Sequence, residues 1–170
     1  MSEQQTDNPY ETPSAPLVEE TGEHELATLT ERLAAAIIDG IIAIVITMPI
    51  YWFTDLWDRM MAGEQLNLTE TVVMTAVGMV LFLLIHGYTL ATRGQTLGKV
   101  VMRTRIVSNE ASELLPLWRL VLLRYLPIWI VGAIPFAGSF FILLDSVFIF
   151  RKDRRCVHDF IAGTKVIKVR

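Results

Sequence analysis

The sequence has little cysteine and little charge. Cys156 is the single cysteine among 170 residues, so the chain cannot form an internal disulfide or supply a cysteine-based zinc site. Charged residues make up only 19% of the chain, whereas hydrophobic residues make up 52%. So high a hydrophobic fraction with so few charged residues is unusual for a soluble domain. The apolar residues also occur in long blocks, and such blocks are typical of a membrane protein.

The first thirty residues lack both a basic start and an apolar core, so we do not expect them to form a secretory signal peptide. They are acidic and rich in proline, serine and threonine, and they contain few side chains that would build a core. The composition therefore predicts a disordered acidic cytoplasmic tail over residues 1–29, followed by a membrane domain over residues 30–170.

The chain also lacks the signatures of an enzyme or a nucleic-acid-binding protein. No pairing of a nucleophile with a base is visible, and RGQTLGK (93–99) has three residues between its glycines where a P-loop needs four. The net charge of −3 argues against nucleic-acid binding, which favours a basic protein. We therefore expect no catalytic activity, no cofactor, no bound metal and no nucleic-acid partner.

Three apolar blocks are present instead. Residues 33–53 and 72–91 each have about the twenty residues that cross a bilayer core. The third block, 117–150, is too long for one crossing, and its prolines and glycines predict two short helices over 118–133 and 136–150. The pattern predicts an all-α membrane protein with a four-helix transmembrane bundle, in which the last two helices form a short hairpin. A re-entrant hairpin is the alternative.

The charges of the connecting segments predict the orientation. Residues 54–71 contain four acidic residues and one basic residue, whereas residues 92–119 and 151–170 are rich in lysine and arginine. Because basic segments stay in the cytoplasm, both should lie inside, close to anionic lipid headgroups, and residues 54–71 should lie outside. The number of crossings between the basic segments is then even, so both termini are predicted to be cytoplasmic.

Two of the basic stretches have a strand-like pattern. VVMRTRIV (100–107) and TKVIKVR (164–170) alternate in part and are rich in β-branched residues. They predict two short cytoplasmic strands that pair beneath the helices. The alternative is two unrelated basic segments that lie along the membrane.

Four ionisable residues, one from each proposed helix, lie at a similar depth. Asp39, His86, Arg124 and Asp145 each lie roughly 7–11 Å inside the nearest basic boundary residue. A charge in hydrocarbon costs about 2.5–3.5 kcal/mol on insertion scales, so these side chains should face inward and neutralise one another. They form either a proton or cation site or a set of ion pairs that locks the bundle. We favour a functional role for Asp39 and a structural one for His86, and we leave Asp145 open.

The first helix carries two of the candidate residues. Arg32 and Asp39 are spaced i, i+7, so they share a helix face but lie too far apart for a direct ion pair. Arg32 is predicted to extend towards lipid phosphates. Asp39 needs a partner from another helix, and Arg124 is the predicted one.

Two polar motifs lie outside the predicted helices, and their residues are Gly94, Gln95, Thr96, Gly98, Lys99, His158 and Asp159. The first motif is predicted to form a turn after the second helix, with Lys99 at the lipid surface. The second contains a His-Asp pair, which is weak evidence for a metal site without further ligands. Together with Arg154 and Arg155, this pair is predicted to form a polar network at the interface.

These motifs together resemble the RDD family of small bacterial membrane proteins, which is named for one arginine and two aspartates. ERLAAAIIDG places Arg32 and Asp39 at the family's arginine and first aspartate. RGQTLGKVVMRTRIV resembles the family's Gly-Gln-Thr-x-Gly-Lys segment, and RRCVHDFIAGTKVI resembles its closing His-Asp…Ala-Gly-Thr segment. By this resemblance, which covers about residues 30–170, the second aspartate is Asp159 rather than Asp145.

The resemblance implies a multi-pass protein of the bacterial inner membrane that takes part in transport, since some relatives are described as sodium/proton antiporters. A chain this small would have to form an oligomer to enclose a path. The alternative is a non-transporting partner that docks another membrane complex through its basic cytoplasmic face. The candidate ion- or solute-binding residues are Arg32, Asp39, His86, Arg124 and Asp145, of which His86 and Arg124 match no family motif.

Overall fold

The computed structural model describes residues 25–134 and 137–169. Most of the predicted tail, residues 1–24, lies outside the described residues. Residues 25–27 lie along the last strand of the fold, where the backbone N–H of Ala27 donates to the carbonyl of Val166 at 3.0 Å. Ala27 is fully buried. The packed part of the chain therefore begins before residue 30, the predicted start of the membrane domain.

Two long helices dominate the fold. Helix α1 spans Leu29–Phe53 and helix α3 spans Leu68–Arg93. Each begins at a capping box, Thr28 with Glu31 in α1 and Asn67 with Glu70 in α3, so their first backbone N–H groups are satisfied. At 25 and 26 residues, the helices are roughly 37–39 Å long, which exceeds the thickness of a bilayer core.

Both long helices expose their apolar side chains. Ile44 on α1 is 60% exposed and Leu84 on α3 is 76% exposed, and many other large apolar residues of these helices are similarly exposed. Both helices are long and apolar enough to cross a membrane, and almost none of either apolar stretch is buried within the protein. Core helices of soluble proteins bury such surface, so this exposure is typical of helices that cross a membrane.

The segment between the long helices contains the short helix α2, Leu56–Met61. Arg59 of α2 lies 3.0 Å from Glu64 and 2.8 Å from Glu70, which is in the first turn of α3. These ion pairs tie the acidic loop to the start of α3.

The third apolar block forms a helical hairpin. Its first half consists of α5, a π-helical segment and α6, at Leu117–Arg119, Leu120–Tyr125 and Leu126–Gly132. Its second half consists of α7, Ala137–Val147, followed by a 3₁₀ turn at Phe148–Phe150, and α7 packs against α6. The first half is roughly 24 Å long and α7 roughly 16 Å, so both are shorter than a bilayer core.

Two short strands pair, as the sequence predicted. Strand β1, Thr104–Ser108, runs antiparallel to β2, Thr164–Lys168, and Ile106 lies opposite Val166. This pairing excludes two unrelated segments. The predicted first strand began at residue 100, but residues 100 and 101 belong to helix α4, Leu97–Val101.

The buried core lies at one end of the molecule. It joins the end of α3, both strands and the π-helical segment, and its residues are Ala27, Leu90, Ile106, Leu115, Leu120 and Val166. Helix α8, Val157–Ala162, precedes β2 and packs against the π-helical segment. This core holds the polar motifs of the sequence against the ends of the long helices.

Candidate functional site

A buried group of charges joins α1, the π-helical segment and α8. We call it the Asp159 cluster, and it consists of Arg32, Arg124, Asp159 and Thr164. Asp159 Oδ2 lies 2.6 Å from Arg32 Nη2, and Asp159 Oδ1 accepts a hydrogen bond from Arg124 Nη1. The hydroxyl of Thr164 donates to Asp159 Oδ1 at 3.0 Å. Since the side chain of Asp159 is fully buried, these donors replace the water that it has lost.

Asp159 is permanently ionised within this cluster. Burial on its own would raise the pKa of Asp159, but the positive charges of Arg124 and Arg32 hold this pKa well below its usual range. The backbone N–H of Cys156 also donates to Asp159 Oδ2, at 3.1 Å. Asp159 therefore stays ionised at physiological pH and acts as a fixed counter-ion rather than a proton carrier.

Two predictions about arginine partners are wrong. Arg32 does not extend to lipid phosphates, because its side chain is only 8% exposed and binds Asp159 and the carbonyl of Arg154. Arg124 does not pair with Asp39, because its guanidinium is occupied by Asp159 and Thr164. The carboxylate of Asp159 is a counter-ion for both arginines. Counting residues inward along each helix could not predict this shared contact, because it joins three different elements of the fold.

Asp39 binds the start of α4 instead. Its Oδ2 accepts a hydrogen bond from the Thr96 hydroxyl at 2.5 Å, and its Oδ1 accepts one from the backbone N–H of Gly98 at 2.7 Å. Thr96 is the N-cap of α4, and the first turn of a helix favours a nearby negative charge. The RGQTLGK motif, predicted only as a turn, thus supplies the partners of the aspartate in α1.

Gly98 makes this contact possible. A Cβ atom at this position would lie 2.2 Å from the carbonyl oxygen of Ala35 and 2.9 Å from the carboxylate of Asp39. Only a residue without a side chain lets α4 approach α1 this closely. The turn before α4 also needs a glycine, since Gly94 has a φ of 65° and ends α3 in the left-handed conformation.

His86 fixes the other side of α4. It is buried in α3, and its Nδ1 accepts a hydrogen bond from the backbone N–H of Leu97 at 3.1 Å. Its ring packs on Phe82 with 4.9 Å between ring centroids. His86 and Asp39 therefore hold α4 from two helices, which favours a structural role for the histidine.

A cavity opens beside Asp39 and His86. We call it the central cavity, and it lies between α1, α3 and α6 with a volume of about 460 Å³. Its walls are mainly apolar, and its polar and aromatic lining residues are Asp39, Thr47, Thr75, Phe82, His86 and Trp129. The carboxylate of α1 thus contacts both α4 and a partly open cavity among the helices.

Asp145 and His158 form a separate pair. Asp145 Oδ2 lies 2.6 Å from His158 Nδ1, and Asp145 Oδ1 accepts a hydrogen bond from the His158 backbone N–H at 2.9 Å. Burial, with the charge of Arg124 adding to it, lowers the pKa of His158, which keeps the imidazole neutral at pH 7.

The predicted network around Asp159 forms in part, because Arg155 binds the carbonyls of Thr164 and Asp159.

Asp145, Cys156 and His158 offer three possible metal ligands, whose ligand atoms lie within 4.8 Å of one another. Asp145 and His158 are already bonded to each other, and Arg32 Nη2 lies 3.6 Å from Cys156 Sγ. Burial also raises the pKa of the Cys156 thiol to about 11, so the thiolate that a metal needs is disfavoured. This group suits ion pairing better than a metal ion.

The sequence did not reveal the roles of Thr96 and Thr164. A signal existed for Thr96, because a threonine before a short helical run is a typical N-cap. No comparable local signal exists for Thr164, whose hydroxyl meets Asp159 only because the chain turns at Gly163 between α8 and β2.

The comparison with protein families identifies the chain. A model described as the RDD family matches residues 26–163. The chain belongs to the RDD family. No curated protein and no solved structure matches it. The RDD match begins beside Ala27, where the packed fold begins, and runs to Gly163 at the end of α8, so it includes every residue of the two polar motifs.

The family name refers to one arginine and two aspartates, which the resemblance places at Arg32, Asp39 and Asp159. These three residues form two separate contacts. Arg32 and Asp159 pair directly, and Asp39 binds the α4 motif about two helical turns further along α1. In this RDD protein the arginine and one aspartate neutralise each other, and the other aspartate lines the central cavity.

Proposed function

We propose that this protein moves protons, in exchange for a small cation or solute, through a site built on the intramembrane carboxylate of Asp39. The observation that carries the proposal is the place of this carboxylate, between the start of α4 and the central cavity. A carboxylate has about four acceptor positions, and Thr96 and Gly98 use two. Two positions remain for a proton or a cation.

The lining of the central cavity favours a proton at Asp39 over a bare metal ion. Among the described residues, the oxygen-bearing side chains of the lining are Asp39, Thr47 and Thr75, and both threonine hydroxyls donate to carbonyls of their own helices. Hard cations bind six or more oxygens, which is more than these three side chains offer. A metal ion would have to complete its coordination with water, backbone carbonyls or oxygens from a second copy of the chain.

Asp39→Asn is the direct test. We expect proton or sodium flux in everted vesicles to fall to background, because asparagine keeps the side-chain shape but cannot carry a proton. Asp58→Asn removes a carboxylate from the exposed start of α2 and should leave flux unchanged. Equal flux from wild type and Asp39→Asn at equal protein levels would contradict the proposal.

A second function is supported by the same geometry. Asp39 is bonded within its own chain, so it also acts as a clamp that holds α4 against α1. In that case the protein is a partner or assembly factor whose basic face contacts another membrane complex. Asp39→Asn would then lower the protein level or the recovery of a stoichiometric partner, and wild-type vesicles would show no flux.

We further propose four crossings in the bacterial inner membrane, with both termini in the cytoplasm. The two hairpin helices are short, so the bilayer would thin around them. The basic loop and tail support this orientation, as they carry the positive charges that remain inside.

Cysteine labelling tests the hairpin. In a Cys156→Ser background, we expect Ile134→Cys to react with a membrane-impermeant maleimide added from outside, because Ile134 is 48% exposed at the end of the first hairpin helix. Glu110→Cys, in the exposed turn after β1, should react only from the cytoplasmic side. Reaction of Ile134→Cys from the cytoplasmic side alone would replace four crossings by a re-entrant hairpin.

A further inference from the structure

A second cavity lies between α1 and α7, and we call it the lateral cavity. Its volume is about 360 Å³. Its charged and polar lining includes Arg32, Lys99, Arg124, Asp145 and His158. Its apolar walls come from the outer faces of the two helices, where Leu33 is 61% exposed and Leu143 is 69% exposed. The lateral cavity is therefore polar inside and apolar where it meets lipid.

Positive charge exceeds negative charge around the lateral cavity. Arg32, Lys99 and Arg124 line it, whereas the nearby carboxylates are Asp145 and Asp159. Asp159 is shared by the two arginines, and the partner of Asp145 is a neutral histidine. The third carboxylate of this region, Asp39, binds the start of α4 and lines the central cavity instead. Among the described residues around the lateral cavity, Lys99 is left without a direct counter-ion.

Lys99 is half-buried on α4. Within residues 25–134 and 137–169, no carboxylate lies within 4.0 Å of its ammonium group, and its side chain donates no hydrogen bond to a protein atom. Burial, followed by the charge of Arg124, lowers the pKa of Lys99 to about 8. The side chain, which the sequence predicted to lie at the lipid surface, lines the lateral cavity. An anion in this cavity would supply the missing counter-ion.

We infer that the lateral cavity binds one anionic phospholipid, with its phosphate on Lys99 and an acyl chain between α1 and α7. A phosphodiester carries one negative charge, which matches the one lysine without a counter-ion among the described lining residues of the lateral cavity. The apolar walls match an acyl chain, and a free phosphate would leave them without a partner. The site uses the lysine of the RGQTLGK motif, and it is independent of any flux through Asp39.

Lipid binding to the purified full-length protein tests the site. Native mass spectrometry would follow the first bound phosphatidylglycerol, with phosphatidylcholine as the neutral lipid. We expect selective binding of phosphatidylglycerol, and we expect Lys99→Gln to weaken it by about fivefold or more. Lys99→Arg keeps the charge and should retain most of the binding, which separates loss of charge from loss of folding.

Two matched variants define the site further. Lys152→Gln removes one charge from the exposed tail and should change binding less than twofold, whereas Ala36→Trp fills the apolar side of the cavity and should weaken binding without changing any charge. Equal losses in Lys99→Gln and Lys152→Gln would show diffuse surface attraction and overturn the site. Equal binding of both lipids, or full competition by millimolar inorganic phosphate, would overturn it as well.

Discussion

Replacing Asp159 with asparagine is expected to lower the free energy of unfolding by about 3–5 kcal/mol. The substitution leaves Arg32 and Arg124 next to each other and nearly buried, with no carboxylate between them. Two unpaired guanidinium groups that have lost water are among the most destabilising arrangements in a protein interior. We expect a melting temperature lower by on the order of 10 °C in detergent and a reduced yield of monodisperse protein.

The control for this substitution is Asp58→Asn, since Asp58 is exposed and its carboxylate forms no ion pair within the described residues. Its melting temperature should remain that of the wild type. Combining Asp159→Asn with Arg124→Gln should restore part of the lost stability, because it removes one of the two repelling cations. A melting temperature for Asp159→Asn within about 1 °C of the wild type would mean that the cluster contributes no stability.

Replacing Gly98 with alanine is expected to detach α4 from α1. The new Cβ atom would lie 2.2 Å from the carbonyl oxygen of Ala35, so the backbone has to move and the two hydrogen bonds to Asp39 are lost. Overpacking and the loss of bonds to a charged group should together cost about 3 kcal/mol or more. Thermal unfolding would measure this loss, and flux in everted vesicles should fall with it.

Gly40→Ala is the matched control, because it places the same methyl group next to Asp39 in α1. A Cβ atom at Gly40 would meet nothing within 4 Å. Since alanine favours a helix over glycine by roughly 1 kcal/mol, Gly40→Ala should be as stable as the wild type or slightly more stable. If Gly98→Ala were as stable as Gly40→Ala, the close approach of α4 to α1 would not contribute to the stability of the protein.

The sequence predicted the two long helices, the hairpin and the two strands because their signals are local, whereas it did not predict the short helices α2, α4 and α8. The length of each apolar block marks α1 and α3, the prolines and glycines of the third block mark the hairpin, and β-branched residues mark β1 and β2. The family motifs also pointed to the residues that the structure brings together.

The partners of the charged residues were not predictable in the same way. Arg32 and Asp159 are 127 residues apart, and Asp39 and Thr96 are 57 apart. Counting along a helix gives the depth of a residue but not the direction in which its side chain points. The π-helical segment around Arg124 adds to this difficulty, because its wider turn changes the face on which Arg124 lies.

The pairing of residues 25–27 and Arg32 with the last strand and with Asp159 constrains the order of assembly. During synthesis, the first helix leaves the ribosome long before α8 and β2 exist. Arg32 therefore cannot form its ion pair with Asp159 until the closing segment has been made and has folded back against α1. The segment of the chain that is made last thus fixes the start of the helix that is made first.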